Sequence, residues 1–278
     1  MSYKTIVVHL NDQRRVRHIL APAVALARHF AAHLVGLHVF PAYHLTPPIS
    51  LPLGASLIGN IRRQIQDETD RIKAAFELQT GTEPFSAEWR SITTDRMEPA
   101  SVVKPHVRTA DLIVASQADP TWDFSSILDF PERIALEGGR PVFVVPNGDL
   151  TPTIPPRKIT IGWNGRREAA RAVFDALPFL TQAEEVYVIT VVEGDDQLHR
   201  LPDAALADAL HRHGVKVAIS KVARTKSAAD EIRDHSHAHQ SELLVLGAYG
   251  HSRFRELAFG GVTRDILKRM TIPVLFSH

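Results

Sequence analysis

The chain repeats itself, and nothing else in the sequence constrains its fold as strongly. Lys4-Thr5-Ile6-Val7-Val8-His9-Leu10-Asn11 is answered by Lys158-Ile159-Thr160-Ile161-Gly162-Trp163-Asn164. Asp111-Leu112-Ile113-Val114-Ala115 is answered by Glu242-Leu243-Leu244-Val245-Leu246, and Arg140-Pro141-Val142-Phe143-Val144-Val145 by Ile272-Pro273-Val274-Leu275-Phe276. Three short apolar runs returning in one order indicate two copies of one unit. Between them runs Gly148-Asp149-Leu150-Thr151-Pro152-Thr153-Ile154-Pro155-Pro156, whose prolines mark a stiff linker. The reading is therefore a first domain over 1–147, a linker over 148–156 and a second domain over 157–278.

Within each copy, strands alternate with helical patterns, which implies parallel βαβ units. Strands are expected near 4–10, 33–39, 85–91, 111–116 and 141–146, then near 158–163, 185–192, 215–222, 242–247 and 272–276. Residues 14–32 carry Val16, Ile19, Leu20, Ala23, Val24, Ala27 and Phe30 at helical spacing, and 166–180 carry Ala169, Ala172, Val173, Ala176 and Leu177. The offset between the copies is 154 at Lys4/Lys158 but 131 at Asp111/Glu242, so the first copy holds 23 extra residues between its second and fourth strands. A longer second helix around 55–80 and the proline-rich loop from Pro41 to Gly54 account for them. That loop reads as a surface excursion, or as a lid or dimer contact.

Composition narrows the function class. A hydrophobic fraction of 44% and a charged fraction of 23% are those of a soluble globular protein. A net charge of +1 gives no general attraction to nucleic acid or anionic membrane. With no cysteine, neither a disulfide scaffold nor a cysteine-ligated metal is available. No run reaches the roughly 18 apolar residues of a membrane span, and the apolar stretch after Met1 is too short for a secretory signal. A cytoplasmic location is the expectation.

Chemistry concentrates near the carboxyl end. Gly247 and Gly250 lie just past the run Leu243–Leu246, and Gly260-Gly261-Val262-Thr263 opens a helical segment. Glycines at a strand end followed by a helix start suit an anion. The backbone can approach a phosphate closely, and the helix presents unbonded N–H groups and a positive dipole end. Open α/β sheets bind ligands at such strand ends; tight turns alone would also use these glycines.

Gly247-x-x-Gly250, nine residues, then Gly260 and a small residue resembles the nucleotide-binding signature of the universal stress protein family. There the pattern is G-x-x-G-(nine residues)-G-[Ser/Thr] followed by a hydrophobic residue. Gly261 departs from it by removing one hydroxyl contact, and Thr263 lies two positions further on. The resemblance implies a tandem member of the family: two doubly wound, five-stranded, mostly parallel α/β sheets of the Rossmann-like, adenine nucleotide alpha hydrolase-like kind. It also implies a pseudo-twofold relation between them, with the last strands meeting. The family's site residues then fall on Asn164, where an aspartate is usual, on Val191 and Val192 beside adenine, and on Gly247, Gly250, Gly260, Gly261, Val262 and Thr263 at the phosphates. Arg253, in the loop, is placed to pair with phosphate. The implied ligand is ATP or a related adenine nucleotide, with Mg2+ brought in on the phosphates, since no protein cage for a cation is evident.

In the first copy, Ser116-Gln117-Ala118-Asp119 replaces the first glycine pair and Asp129-Phe130-Pro131-Glu132 the second. Two carboxylates beside a phosphate pocket repel the ligand, so the nucleotide site is assigned to the second copy alone. The chain contains no G-x-x-x-x-G-K-[ST], G-x-G-x-x-G or G-x-S-x-G. His235 and His239 stand four apart with metal-ligand spacing, but a solvated helix face is the simpler reading. Trp163 is core or pocket wall. No base is poised by a neighbour, so any ATP hydrolysis is expected to be slow. Two functions remain open: an ATP-binding regulatory protein of the stress-response type, or a nucleotide-free interaction protein acting as a homodimer.

Overall fold

The computed structural model describes residues 2–41, 55–94, 99–122, 125, 131–148, 152–192, 203–248 and 261–278. The first half gives β1 (Thr5–His9), α1 (Val16–Phe30), β2 (His33–Pro41), α2 (Ala55–Thr80), β3 (Ala87–Thr94), α3 (Pro99–Val107), β4 (Leu112–Ser116), α4 (Pro131–Glu137) and β5 (Val142–Val145). The second gives β6 (Lys158–Gly162), α5 (Arg167–Asp175), the one-turn α6 (Leu177–Leu180), β7 (Glu185–Val192), α7 (Asp203–Arg212), β8 (Val217–Ala223), α8 (Ala228–Ala238), β9 (Leu243–Gly247), α9 (Gly261–Arg269) and β10 (Val274–Ser277).

Each half is a parallel five-stranded set ordered 3-2-1-4-5, the doubly wound α/β arrangement expected from the alternating pattern. The two sets do not stand apart. They join into one ten-stranded sheet, β3-β2-β1-β4-β5-β10-β9-β6-β7-β8. At the joint β5 and β10 pair antiparallel, with Val274 opposite Val144 and Phe276 opposite Val142. These last strands would otherwise be bare edges, and all eight of their residues are buried. Pairing satisfies the backbone groups and removes two apolar edges at once.

Local sequence explains the layers. β4 and β9 lie between neighbours and under helices on both faces, so they read as unbroken apolar runs. The helical stripe of α1 is buried as its spacing predicts, at Val16, Ile19, Leu20, Ala23, Val24, Ala27 and Phe30. Over the joint, Phe179 meets Phe30 and Tyr3 with ring centroids at 5.4 Å, and the Tyr3 hydroxyl donates to the Asp175 carbonyl at 2.6 Å. On the opposite face, buried Gln117 donates from Nε2 to the Leu267 carbonyl at 2.6 Å. Both contacts bind first half to second.

The halves differ most in their second helix. α2 has 26 residues against 10 in α7; at ~1.5 Å per residue it runs more than twice as far. Ile72 and Phe76 anchor it in the core, and Thr69 reaches the His38 ring at 3.3 Å. Backbone bonds refine the match between copies. His33 N–H donates to Lys4 O where Glu184 N–H donates to Arg157 O, and Asp111 N–H to Thr5 O where Glu242 N–H donates to Lys158 O. The first strands thus correspond with an offset of 153, one less than the Lys4/Lys158 match suggests. Leu10 is the counterpart of Trp163, and Asn11 of Asn164. The loop 42–54 lies outside the described residues.

Candidate functional site

Parallel strands with helices returning over them bring every β-to-helix turn to one edge of the sheet. In the second half, α5 and α9 therefore both begin at the carboxyl ends of β6 and β9. Each helix directs a positive dipole end to that edge. Gly247 is where β9 comes closest to α5: a Cβ on it would lie 2.5 Å from the backbone of Glu168 and Ala169, at the start of the helix. A close approach between strand end and helix start requires glycine here, independently of any ligand. Gly261 is the opposite case. It is exposed at the start of α9, and among the described residues nothing lies within 4 Å of where a Cβ would stand.

The two following side chains turn inward. Thr263 is buried and Val262 packs against the core cluster under α8 and α9. What this segment can offer an anion is chiefly backbone N–H. Gly250, Arg253 and Gly260, with His251 and Ser252, lie outside the described residues.

Asn164 is exposed just past β6, and its Oδ1 accepts the Arg166 N–H at 3.0 Å, closing an Asx turn across Gly165. Gly165 has φ of +71°, a left-handed position that suits glycine. With its oxygen used by the turn, Asn164 retains its amide N–H groups for a ligand. Val191 and Val192 end β7. Val192 O accepts the Arg224 N–H at 3.1 Å on the β8 side, whereas Ile189 O accepts the Trp163 N–H at 2.9 Å on the β6 side. Alternation along a strand turns the backbone of Val191 to the β6 side, beyond the last residue of β6. The structure thus brings Asn164, Val191, Val192, Gly247 and Gly261 to one sheet edge.

Charge at this edge is mixed. Burial pushes the Glu168 carboxyl up, but the hydrogen bond and charge of Arg167 outweigh it and hold the group below its ordinary range. Arg166 and Arg167 are exposed at the start of α5.

The first half fills the same place with its own charges. Arg15 donates to Asp12 Oδ2 at 2.9 Å, to the Gln117 carbonyl at 2.9 Å and to Asn147 Oδ1 at 3.3 Å. Arg14 pairs with Asp12 at 2.9 Å and Asp119 at 3.6 Å, and both guanidinium groups lie within 6 Å of the Trp122 ring centroid. Asp119 also accepts the Thr121 N–H and hydroxyl, which holds its carboxyl below the usual range. It is a charged member of an arginine cluster. The sequence alone suggests bare repulsion; the geometry pairs Asp12 and Asp119 with guanidinium groups. Asp129 lies outside the described residues.

The histidine pair corrects a surface reading. The His235 and His239 rings lie 4.4 Å apart and tilted, His239 stacks on the Tyr187 ring at 3.9 Å, and both ring nitrogens of His235 are buried. This helix face is packed. Among the described residues no group of three or more His, Asp or Glu can hold a metal, and no helix is long and apolar enough to cross a membrane.

Comparison with known proteins agrees with this architecture. Residues 156–278 match the sequence model of the universal stress protein family. Universal stress protein Slr1230 of Synechocystis sp. is 26% identical over 146 residues, 52% of this chain and 49% of the relative, so the chain spans about half the length of that relative. A universal stress protein from Archaeoglobus fulgidus superposes with a TM-score of 0.67 at 12% identity, covering 98% of this chain and 95% of its own. A functionally unknown protein from Pseudomonas aeruginosa gives 0.58 at 13% identity, with 99% and 92% covered. At these identities the likeness is one of fold.

Proposed function

We propose that this chain, whose residues 156–278 match the sequence model of the universal stress protein family, is a stress-response protein whose carboxyl-terminal half binds ATP or a related adenine nucleotide as a regulatory ligand. The amino-terminal half is then a second copy of the unit, with its crevice closed by Arg14, Arg15, Asp12 and Asp119. The observation that carries this reading is the pair of helix starts at the sheet edge where β6 and β9 end, with no described residue within 4 Å of a Cβ on Gly261. Phosphate oxygens would take the N–H groups of Gly261, Val262 and Thr263 and the loop glycines 247, 250 and 260, with Arg253 as a counter-charge. The nucleoside would lie against Asn164, Val191 and Val192. Mg2+ would arrive on the phosphates. The nucleotide is read as a signal more than as a substrate.

Calorimetric titration with ATP is expected to give a single site per chain. Two equivalent sites would overturn the closed-crevice argument, and no binding would favour the nucleotide-free, dimerising alternative. Asp119→Gly should not create a second site, because Arg14, Arg15 and Trp122 still fill that crevice. Gly261→Ser has room for its side chain and adds a donor at the phosphates. It should tighten ATP by up to about 1 kcal/mol, roughly fivefold, in the same titration.

A further inference from the structure

We propose that the outer edge of β3 is a self-association surface whose partner is a second copy of this chain, paired antiparallel about a twofold axis at Trp89. The ten-stranded sheet ends on β3 and β8. On β3 the phase of the ladder is fixed by the Leu34 N–H, which donates to Ser86 O at 3.0 Å while Leu34 stands opposite Ala87. Even-numbered residues therefore turn their backbone groups to β2, and Ala87, Trp89, Ser91 and Thr93 turn theirs outward. Among the described residues nothing bonds to those outward groups, and Ala87, Ser91 and Thr93 are exposed. Unpaired N–H and C=O groups in a row are a template for another strand.

Charge decides which edge accepts its own copy. β8 carries Lys221, flanked by Lys216 and Arg224, and has no acidic residue, so two such edges offer each other no opposite charge. β3 carries one charge of each sign, Glu88 and Arg90, on one face of the strand. They pair with each other at 2.7 Å, and their side chains remain 46% and 32% exposed. In an antiparallel pair centred on Trp89, Glu88 falls opposite the partner's Arg90, and Arg90 opposite the partner's Glu88. These are non-hydrogen-bonded positions, where side chains come closest, and the charges of the two copies alternate around the axis. The same register sets Trp89 opposite the partner's Trp89 and Ala87 opposite the partner's Ser91, each pair exchanging its two outward backbone bonds. A centre on Glu88 or on Arg90 sets like charges opposite instead, which destabilises a pair. On the other face Trp89 is held against Phe76 and His38, and its ring adds apolar surface to the joint.

Sedimentation velocity of the full chain over a concentration series should show a reversible dimer that added salt weakens. Glu88→Arg and Arg90→Glu should each weaken it by about tenfold, because a reversal acts twice across a twofold axis. The double variant Glu88→Arg/Arg90→Glu sets opposite charges across the axis again and should associate as the parent does. Ser91→Pro removes an outward N–H that β2 does not use and should leave a monomer whose circular dichroism matches the parent. A parent that stays monomeric throughout the series overturns the proposal, as does a dimer indifferent to both charge reversals. A double variant no stronger than the single ones overturns the register at Trp89. If the variants do not fold, hydrogen exchange in the parent decides. The Ala87, Trp89 and Ser91 amides should exchange more slowly at high than at low protein concentration, and equal rates overturn the inference. None of these outcomes depends on nucleotide.

Discussion

Acidification should destabilise the folded protein by about 1.4 kcal/mol for each pH unit below 6.5 through His9 alone. Burial is the main cause, aided by nearby His38 and Arg15; together they push the His9 imidazole from 6.5 down to about 3. The sign follows from which state holds the proton. Between those two values the unfolded chain binds a proton at His9 and the folded chain does not, so stability is lost as pH falls through that window. By pH 4.5 the loss should reach about 2.7 kcal/mol. His38, also buried and lowered, adds in the same direction. The second half suggests how to remove the titrating group without leaving a hole. The counterpart of His9 is Gly162, which pairs with Leu246, and a Cβ on Gly162 would meet Leu246 Cδ2 at 2.4 Å. The first half makes the opposite choice: continuing the β1–β4 register one step past Val8 and Val114 sets His9 opposite small, buried Ala115. The double variant His9→Gly/Ala115→Leu should therefore be more stable than either single change and should flatten the pH dependence. Urea unfolding of parent and double variant at pH 7 and pH 4.5 measures this. Parallel losses in the two proteins would mean that His9 is not held neutral in the fold.

Which parts of this molecule can be read without coordinates follows from the range of the forces involved. Strands β4, β5, β9 and β10 announce themselves because burial on both faces selects runs of apolar residues, and the long α2 follows from arithmetic on the repeat. The β5–β10 joint is less visible. Val142–Val145 would look the same at a free edge, and only the partner strand turns two sheets into one. The one-residue error in matching β1 to β6 has a similar origin. Lys4 and Lys158 look alike, but Lys4 corresponds to Arg157 by its hydrogen bond, and a run of β-branched residues has no internal landmark to fix register. At the site, residue type told where Asn164 and Gly261 would lie. It could not tell that Asn164 uses its oxygen to close a turn, or that Trp163 lies in the core, because both depend on distances across the fold. The stacking of His239 on Tyr187, with His235 against it, was hidden for the same reason.

Gly247 and Gly261, joined in one sequence motif, should separate completely when tested for stability. In Gly247→Ala the new methyl group arrives 2.5 Å from backbone atoms of Glu168 and Ala169. Backbone cannot swing aside as a side-chain tip can, so α5 must shift as a whole. Overpacking of this kind costs typically 1–3 kcal/mol, and the smaller unfolded-state entropy of alanine returns about 0.4–1 kcal/mol of it. A net loss of about 1.3 kcal/mol is expected, read as a lower urea midpoint with an unchanged slope. Gly261→Ser meets open space and exchanges glycine for a better helix former at the start of α9, so its midpoint should hold or rise slightly. Binding divides them the other way: Gly261→Ser acts on ATP directly, whereas Gly247→Ala acts on it only by moving the turn that carries Asn164. An unchanged midpoint in Gly247→Ala would show that α5 has slack against β9. The glycine at 247 would then have to be explained by the ligand and not by the fold.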